Sequence, residues 1–153
     1  MNKDKKMNTY FLGISVLLIS CSACNSMKNE NRQLQEEVIA VHDSIMPKMG
    51  LFVGNNLKVT TLLTKMDSLK QVHPDLDTSS LKQQLVNLQT DLKLTNEAMT
   101  DWMHNFDPEH ENKKPEEVHT YLQEQLQAIR RLKDQFSATE QKSQHVLATY
   151  RIK

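Results

Sequence analysis

Glycine is nearly missing from this chain, with three residues in 153, and proline is scarce at four. That poverty, beside many Leu, Gln, Lys and Glu, favours long helices over strands. Aromatic residues make up only 5% of the chain, and its formal net charge is zero, so no basic excess is available to neutralise phosphates and nucleic acid is excluded as a partner. Catalytic signatures are missing too. There is no glycine-rich phosphate loop, no G-x-S-x-G, no H-E-x-x-H and no acidic calcium loop. Ser, His and Asp occur, but on helical stretches with no strand-turn-helix to sharpen a nucleophile, so no enzyme is expected. The two cysteines, Cys21 and Cys24, have C-x-x-C spacing, but there is no second pair to complete a zinc site. The length suits one domain.

What is present begins with an export signal. Lys3, Lys5 and Lys6 form a positive n-region, and Tyr10 to Ile19 forms an apolar run too short to span a bilayer comfortably. Leu18-Ile19-Ser20-Cys21 follows, and it looks like the lipobox of bacterial lipoproteins. That resemblance implies diacylglycerol on the Cys21 sulfur, cleavage before Cys21, and acylation of the new amino group. Cys21 is then expected to be taken up by lipid rather than left to a redox pair with Cys24. Cys24 is a poorer acceptor because a cysteine stands where the branched apolar residue belongs; plain secretory cleavage near Ala23 is the other alternative. Residues 1–20 thus read as signal peptide and 21–28 as a lipidated tether. Removing 1–20 takes away three Lys and one Asp, leaving 16 basic and 18 acidic side chains, formally −2. Several acyl chains make anchoring durable, at about 0.8 kcal/mol per buried methylene. Ser22 after the cysteine implies, by analogy with lipoprotein sorting, the outer membrane, at its periplasmic face.

Residues 29–153 carry three seams. In the first, Val38, Ile45, Phe52, Val59 and Met66 recur every seven residues, with Leu34, Val41, Leu62 and Leu69 as the offset series. The second has Leu81, Leu85, Leu88, Leu92, Thr95, Met99, Trp102 and Phe106. The third has Val118, Leu122, Gln125, Ile129, Leu132, Phe136, Thr139, Ser143, Val146 and Tyr150; its polar members predict a less firmly held distal half. The expected fold is all-α: an antiparallel three-helix bundle with helices over about 29–72, 79–106 and 115–150. Pro47, Gly50 and Gly54 weaken the first helix, and Lys48 and Asn55 occupy seam positions. Because the heptad phase survives Pro47, the pattern predicts one helix kinked there; the alternative is a break at 47–54 and a four-helix bundle. Asp77, Thr78 or Ser79 caps the second helix, and Pro115 opens the third.

At 1.5 Å rise per residue, Met46, Met49 and Phe52 fall near Met99, Trp102, Met103 and Phe106. The ordinary reading is methionine filling the space beside a kink. The functional alternative is a copper site built from His42, Met46, Met49, Met99, Met103 and His119, since thioethers and imidazole suit Cu(I) and Trp102 could cover the ion. His42, His104, His110 and His119, with Asp43, Asp107, Glu109 and Glu111 nearby, form a borderline zinc set. His73 and His145 read as surface residues. No cofactor beyond the covalent lipid is expected otherwise. The same level count leaves residues 29–44 without an intrachain partner, which predicts a spacer, or self-association or a protein partner through that stretch.

His42 to Met49 (HDSIMPKM) and Ala98 to Met103 (AMTDWM) resemble small helical lipoproteins of Bacteroidota-type bacteria, sometimes labelled viral A-type inclusion proteins. The resemblance spans most of residues 21–153. It implies a helical bundle on the cell envelope, acting as a non-enzymatic binding or scaffold module, and supplies no activity or functional residues.

Overall fold

The computed structural model describes residues 19–110 and 112–149, with side chains from Ser26 onward. The signal segment through residue 18, the Cys21 and Cys24 side chains, Glu111 and Tyr150 lie outside the described residues. Every regular element among the described residues is a helix: α1 (Ile19–Thr64), α2 (Met66–Val72), α3 (Thr78–Asn105) and α4 (Pro115–Thr149). The chain is all-α.

Helix α1 begins ten residues ahead of the expected Asn29, so residues 21–28, read above as a tether, are helical. One-turn contacts support this start: Ser26 Oγ donates to Glu30 Oε1 at 3.1 Å, and the Arg32 guanidinium donates to Asn29 Oδ1 at 2.9 Å. The helix then runs unbroken through Pro47, which overturns the alternative of a break at 47–54. An interior proline costs about 3 kcal/mol and each glycine about 1 kcal/mol. Against that, Ile45, Phe52 and Val59 are each fully buried on the inward face, and burial of each contributes roughly 1.5–3 kcal/mol. Pro47 itself is exposed, as is Asp43, whose carbonyl loses its helical donor on the solvated side.

The interruption comes at Lys65 instead, with φ −97° and ψ 11°. Three threonines precede it. Thr60 Oγ1 donates to the Asn56 carbonyl, Thr61 Oγ1 to that of Leu57 and Thr64 Oγ1 to that of Thr61, each at 2.9 Å. Such bonds compete for the carbonyls that propagate a helix, and β-branching adds crowding. The defect is one residue long: Lys65 N–H still reaches the Thr61 carbonyl and Leu69 N–H the Lys65 carbonyl.

The turn into α3 is tied from both sides. Lys70 Nζ donates to the Pro74 and Leu76 carbonyls at 2.7 and 2.8 Å. Asp77 Oδ1 accepts from Ser79 N–H and Ser80 N–H, so Asp77 is the residue that caps α3. At the start of α4, Glu117 Oε2 accepts from Lys114 N–H at 3.1 Å, which is half of a capping box behind Pro115.

The chain divides into two compact units that share α1 and α4. One comprises the described residues to Val38 with Asp107–Leu126, and its core is Val38, Leu122 and Leu126 beside the buried Asn31. The other comprises Ile39–Phe106 and the chain from Gln127 onward. Its core takes Ile45, Phe52 and Val59 from α1, Leu81, Leu85, Leu88, Leu92 and Met99 from α3, and Ile129, Phe136 and Val146 from α4. Phe52 and Phe136 stack at its centre with ring centroids 5.0 Å apart.

Polar seam positions in this second unit are matched to each other. Asn55 Nδ2 donates to Ser143 Oγ at 2.8 Å, and the hydroxyls of Thr95 and Thr139 share a hydrogen bond at 3.0 Å. Lys48 Nζ lies 2.6 Å from Glu140 Oε2, and Lys142 pairs with Asp91. The distal half of α4, expected to be loosely held because Thr139 and Ser143 interrupt its seam, is therefore joined to α1 and α3 by specific bonds.

Candidate functional site

The candidate ligands read from the sequence divide between the two units. His42 is half-buried, with its ring 5.7 Å from that of Trp102 and its Nδ1 2.9 Å from Asp43 Oδ1. Trp102 in turn stacks on Phe106 at 5.0 Å. The structure thus joins His42 to Trp102, a pair the level count did not set side by side, and Trp102 is half-buried and spends one face on Phe106. Met99 is fully buried in the core, Met49 and Met103 are half-buried, and Met46 is exposed. Asn96 Nδ2 donates to the Met49 carbonyl at 3.3 Å, which joins the first methionine helix to the second through backbone rather than sulfur.

His119 belongs to the other unit and has no free ring nitrogen. Its Nδ1 bonds Asn31 Oδ1 at 3.0 Å, and Gln123 Nε2 bonds its Nε2 at 3.0 Å. Asn31 also donates through Nδ2 to the Pro115 carbonyl at 2.8 Å. Both ends of the buried Asn31 amide are satisfied, which is what allows a polar residue one heptad before Val38 on the inward face. Gln35, one turn further along α1, donates to the Pro108 carbonyl at 2.9 Å.

These contacts alter the reading of 29–44. Val38 is fully buried, Leu34 and Val41 are half-buried, and Asn31 and Gln35 grip the loop before α4. The level count set only helices against each other, so it had nothing to place against this part of α1. The start of α1 is thus partly covered by the chain's own loop.

The loop itself is held by several side-chain bonds. Asp107 Oδ1 accepts from Glu109 N–H and His110 N–H, and Asp107 Oδ2 holds Lys113 Nζ at 2.7 Å. Asp107 N–H donates to the Tyr121 hydroxyl at 2.7 Å, and Lys113 Nζ sits 4.5 Å from the centre of the Tyr121 ring. His110 and Asn112 have φ of 52° and 64°, the left-handed region that side chains other than glycine enter at a cost of about 1–2 kcal/mol. The His110 ring packs edge-on against Tyr121 at 5.4 Å, and neither of its nitrogens has a hydrogen-bond partner among the described residues.

The electrostatics follow from these contacts. The Lys113 ammonium, helped by the two backbone N–H groups, holds the Asp107 carboxyl below its ordinary range, and Asp107 in return raises the Lys113 ammonium. Burial pushes His110 down, more than the attraction of Asp107 lifts it. Asp107 and Lys113 are thus both committed to holding the loop. Among the described residues, no three His, Cys, Asp or Glu side chains converge as a metal site. Sequence reading missed Asn31, Gln35, Lys113 and Tyr121. Asn31 could have been found, because it extends the seven-residue series of Val38 backward by one step.

Among the described residues, no helix is long and apolar enough to cross a membrane. Comparison of the chain with protein-family models, curated proteins and solved structures found no match.

Proposed function

We propose that this is a lipid-anchored envelope protein whose helical body serves as a non-enzymatic binding or scaffold module. The observation that carries the reading is Leu18-Ile19-Ser20-Cys21, placed directly after a basic n-region and a short apolar run. Acylation of Cys21 would hold the protein at the membrane with no membrane-crossing helix in its body. The outer membrane, periplasmic face, is the location that Ser22 supports.

For the unit formed by Ile39–Phe106 and the chain from Gln127, the arrangement we propose is an antiparallel three-helix bundle of α1, α3 and α4. Its support is the order of the contacts. Met49 meets Asn96 and Thr60 meets Gln89, so α1 and α3 count in opposite directions. Asp91 meets Lys142 and Thr95 meets Thr139, so α3 and α4 do the same. A helical bundle held by matched polar layers suits display or bridging better than chemistry. The copper alternative gains no second observation, because His119 is committed to Asn31 and Gln123 and Met99 is enclosed in the core.

The test is mass spectrometry of the N-terminal peptide from the membrane fraction of cells expressing the full chain. A peptide beginning at Cys21 with diacylglyceryl and acyl masses is expected, and Cys21→Ala should abolish it. An unmodified peptide, or one beginning after Ala23, overturns the proposal.

A further inference from the structure

The outward face of α1 repeats the spacing of its inward face. Ile39, Met46 and Val53 recur every seven residues, and Gly50 and Leu57 fall four after Met46 and Val53. All are exposed, Val53 and Leu57 by 64% and 69%. Leu51 is exposed on the flank of this stripe. A single-stranded apolar stripe in 4-3 spacing is what one helix offers another. Gly50 and Gly54 notch it: a methyl group built on either would meet nothing within 4 Å, so neither glycine is needed by the packing of its own chain. Each glycine still costs the helix about 1 kcal/mol.

We propose that this face binds a second copy of the chain, α1 against α1, in antiparallel orientation about a two-fold axis between residues 51 and 52. Size and charge both select that arrangement. Around that axis Met46 lies opposite Leu57 of the second copy and Val53 lies opposite Gly50, a knob on a notch, twice over by symmetry. Leu51 lies beside its own equivalent. Asp43, with 69% of its side chain exposed and bonded to neighbouring His42, falls within two residues of the level of Lys58 on the same flank. Two residues are about 3 Å of helix, within reach of a lysine stem. Lys58 spends its ammonium on one long bond to Asn55 Oδ1 at 3.4 Å. A parallel pair would instead set Asp43 on Asp43, Lys58 on Lys58 and Gly50 on Gly50, with like charges opposed and a void between the glycines. An unrelated helix has no reason to match a face that is complementary to itself. The inference does not depend on the lipid anchor; with the anchor, the antiparallel pair would lie along the membrane, since the two α1 helices leave the axis in opposite directions.

The test uses whole cells expressing two tagged copies of the full chain, each with Cys24→Ser, one with Met46→Cys and the other with Leu57→Cys, treated with a short permeant bis-maleimide. A mixed cross-link between positions 46 and 57 is expected, with none from either copy alone and none from the Cys24→Ser chain. Cross-links from one site to itself, or no cross-link at all, overturn the proposal. Adding Gly50→Leu to both copies should abolish the mixed product while thermal unfolding of the purified chain is unchanged or shifts upward, because the added side chain meets nothing in its own copy. A product that survives Gly50→Leu overturns the proposal as well. Asp43→Lys should lower the yield at least about threefold, in the range of exposed ion pairs, and Asp43→Lys with Lys58→Asp should restore it; no restoration counts against the antiparallel register.

Discussion

The Asn55 side-chain amide donates to the Ser143 hydroxyl across 2.8 Å, and both residues are shut away from water. One is a seam position of α1 and the other of α4, and each alone would be a defect in its own helix. Together they place a hydrogen bond where a sliding apolar seam would have had no fixed register. Removing one partner strands the other. Asn55→Ala or Ser143→Ala is expected to cost about 1–3 kcal/mol. The double variant should cost clearly less than the sum, because the stranded group is gone. Urea unfolding of the four proteins measures the coupling, and strict additivity would show that the bond contributes nothing to stability.

The Phe52–Phe136 stack at the core separates inward from outward on the same helix. Phe52→Ala is expected to cost about 3–5 kcal/mol, the usual range for a buried aromatic. Val53→Ala, one residue along but exposed, should change stability by less than about 0.5 kcal/mol. Thermal melts of the two variants side by side check this; equal losses would mean that α1 is rotated from the position described.

Pro47 lies inside a continuous helix. Replacing it with alanine restores a donor to the Asp43 carbonyl and relieves the ring clash, so Pro47→Ala is expected to stabilise the chain by up to about 3 kcal/mol. The midpoint of a denaturant titration, at unchanged slope, is the readout. A destabilised Pro47→Ala would mean that the ring shapes the helix in a way the packing requires.

The loop before α4 should loosen first in mild acid. His110 is held below its ordinary 6.5 by burial, so the unfolded chain binds a proton that the folded one refuses. Its contribution to stability is full above pH 6.5 and declines as pH falls from there toward the folded value. Asp107, held below 3.8 mainly by Lys113, contributes above pH 3.8 and is lost as pH falls through its lower folded value. Lys113, raised above 10.5 by Asp107, contributes below pH 10.5 and is lost as pH rises through its folded value. Amide exchange at Glu109 and His110 should therefore accelerate as pH drops below 6.5, beyond the intrinsic pH dependence of exchange. His110→Phe should remove that excess, whereas Asp107→Asn should loosen the loop throughout the neutral range.

Much of the core was legible before any coordinates. The 4-3 steps through Leu81, Leu85, Leu88, Leu92, Thr95 and Met99 mark residues that are all buried, and the series from Val38 to Val59 likewise. The site was legible only in part. Trp102 and His42 were named for one site, though not for one height, and they meet, whereas His119 is taken up by Asn31 and Gln123. The break at Lys65 was not foreseen, because no glycine or proline marks it and the threonine run before it does not by itself read as a stop.

The sequence by itself determined that the chain is helical and which stripe of each helix turns inward, because a period near 3.5 is a property of one helix alone. The tertiary structure decided which polar residues answer each other and what covers the start of α1. Thr139 and Ser143 read as weaknesses until Thr95 and Asn55 are opposite them, and Asp107 to Lys114 reads as slack until Asn31, Gln35 and Tyr121 close on it. The physical reason is that a hydrogen bond in a core has two ends, and periodicity in one segment says nothing about the other.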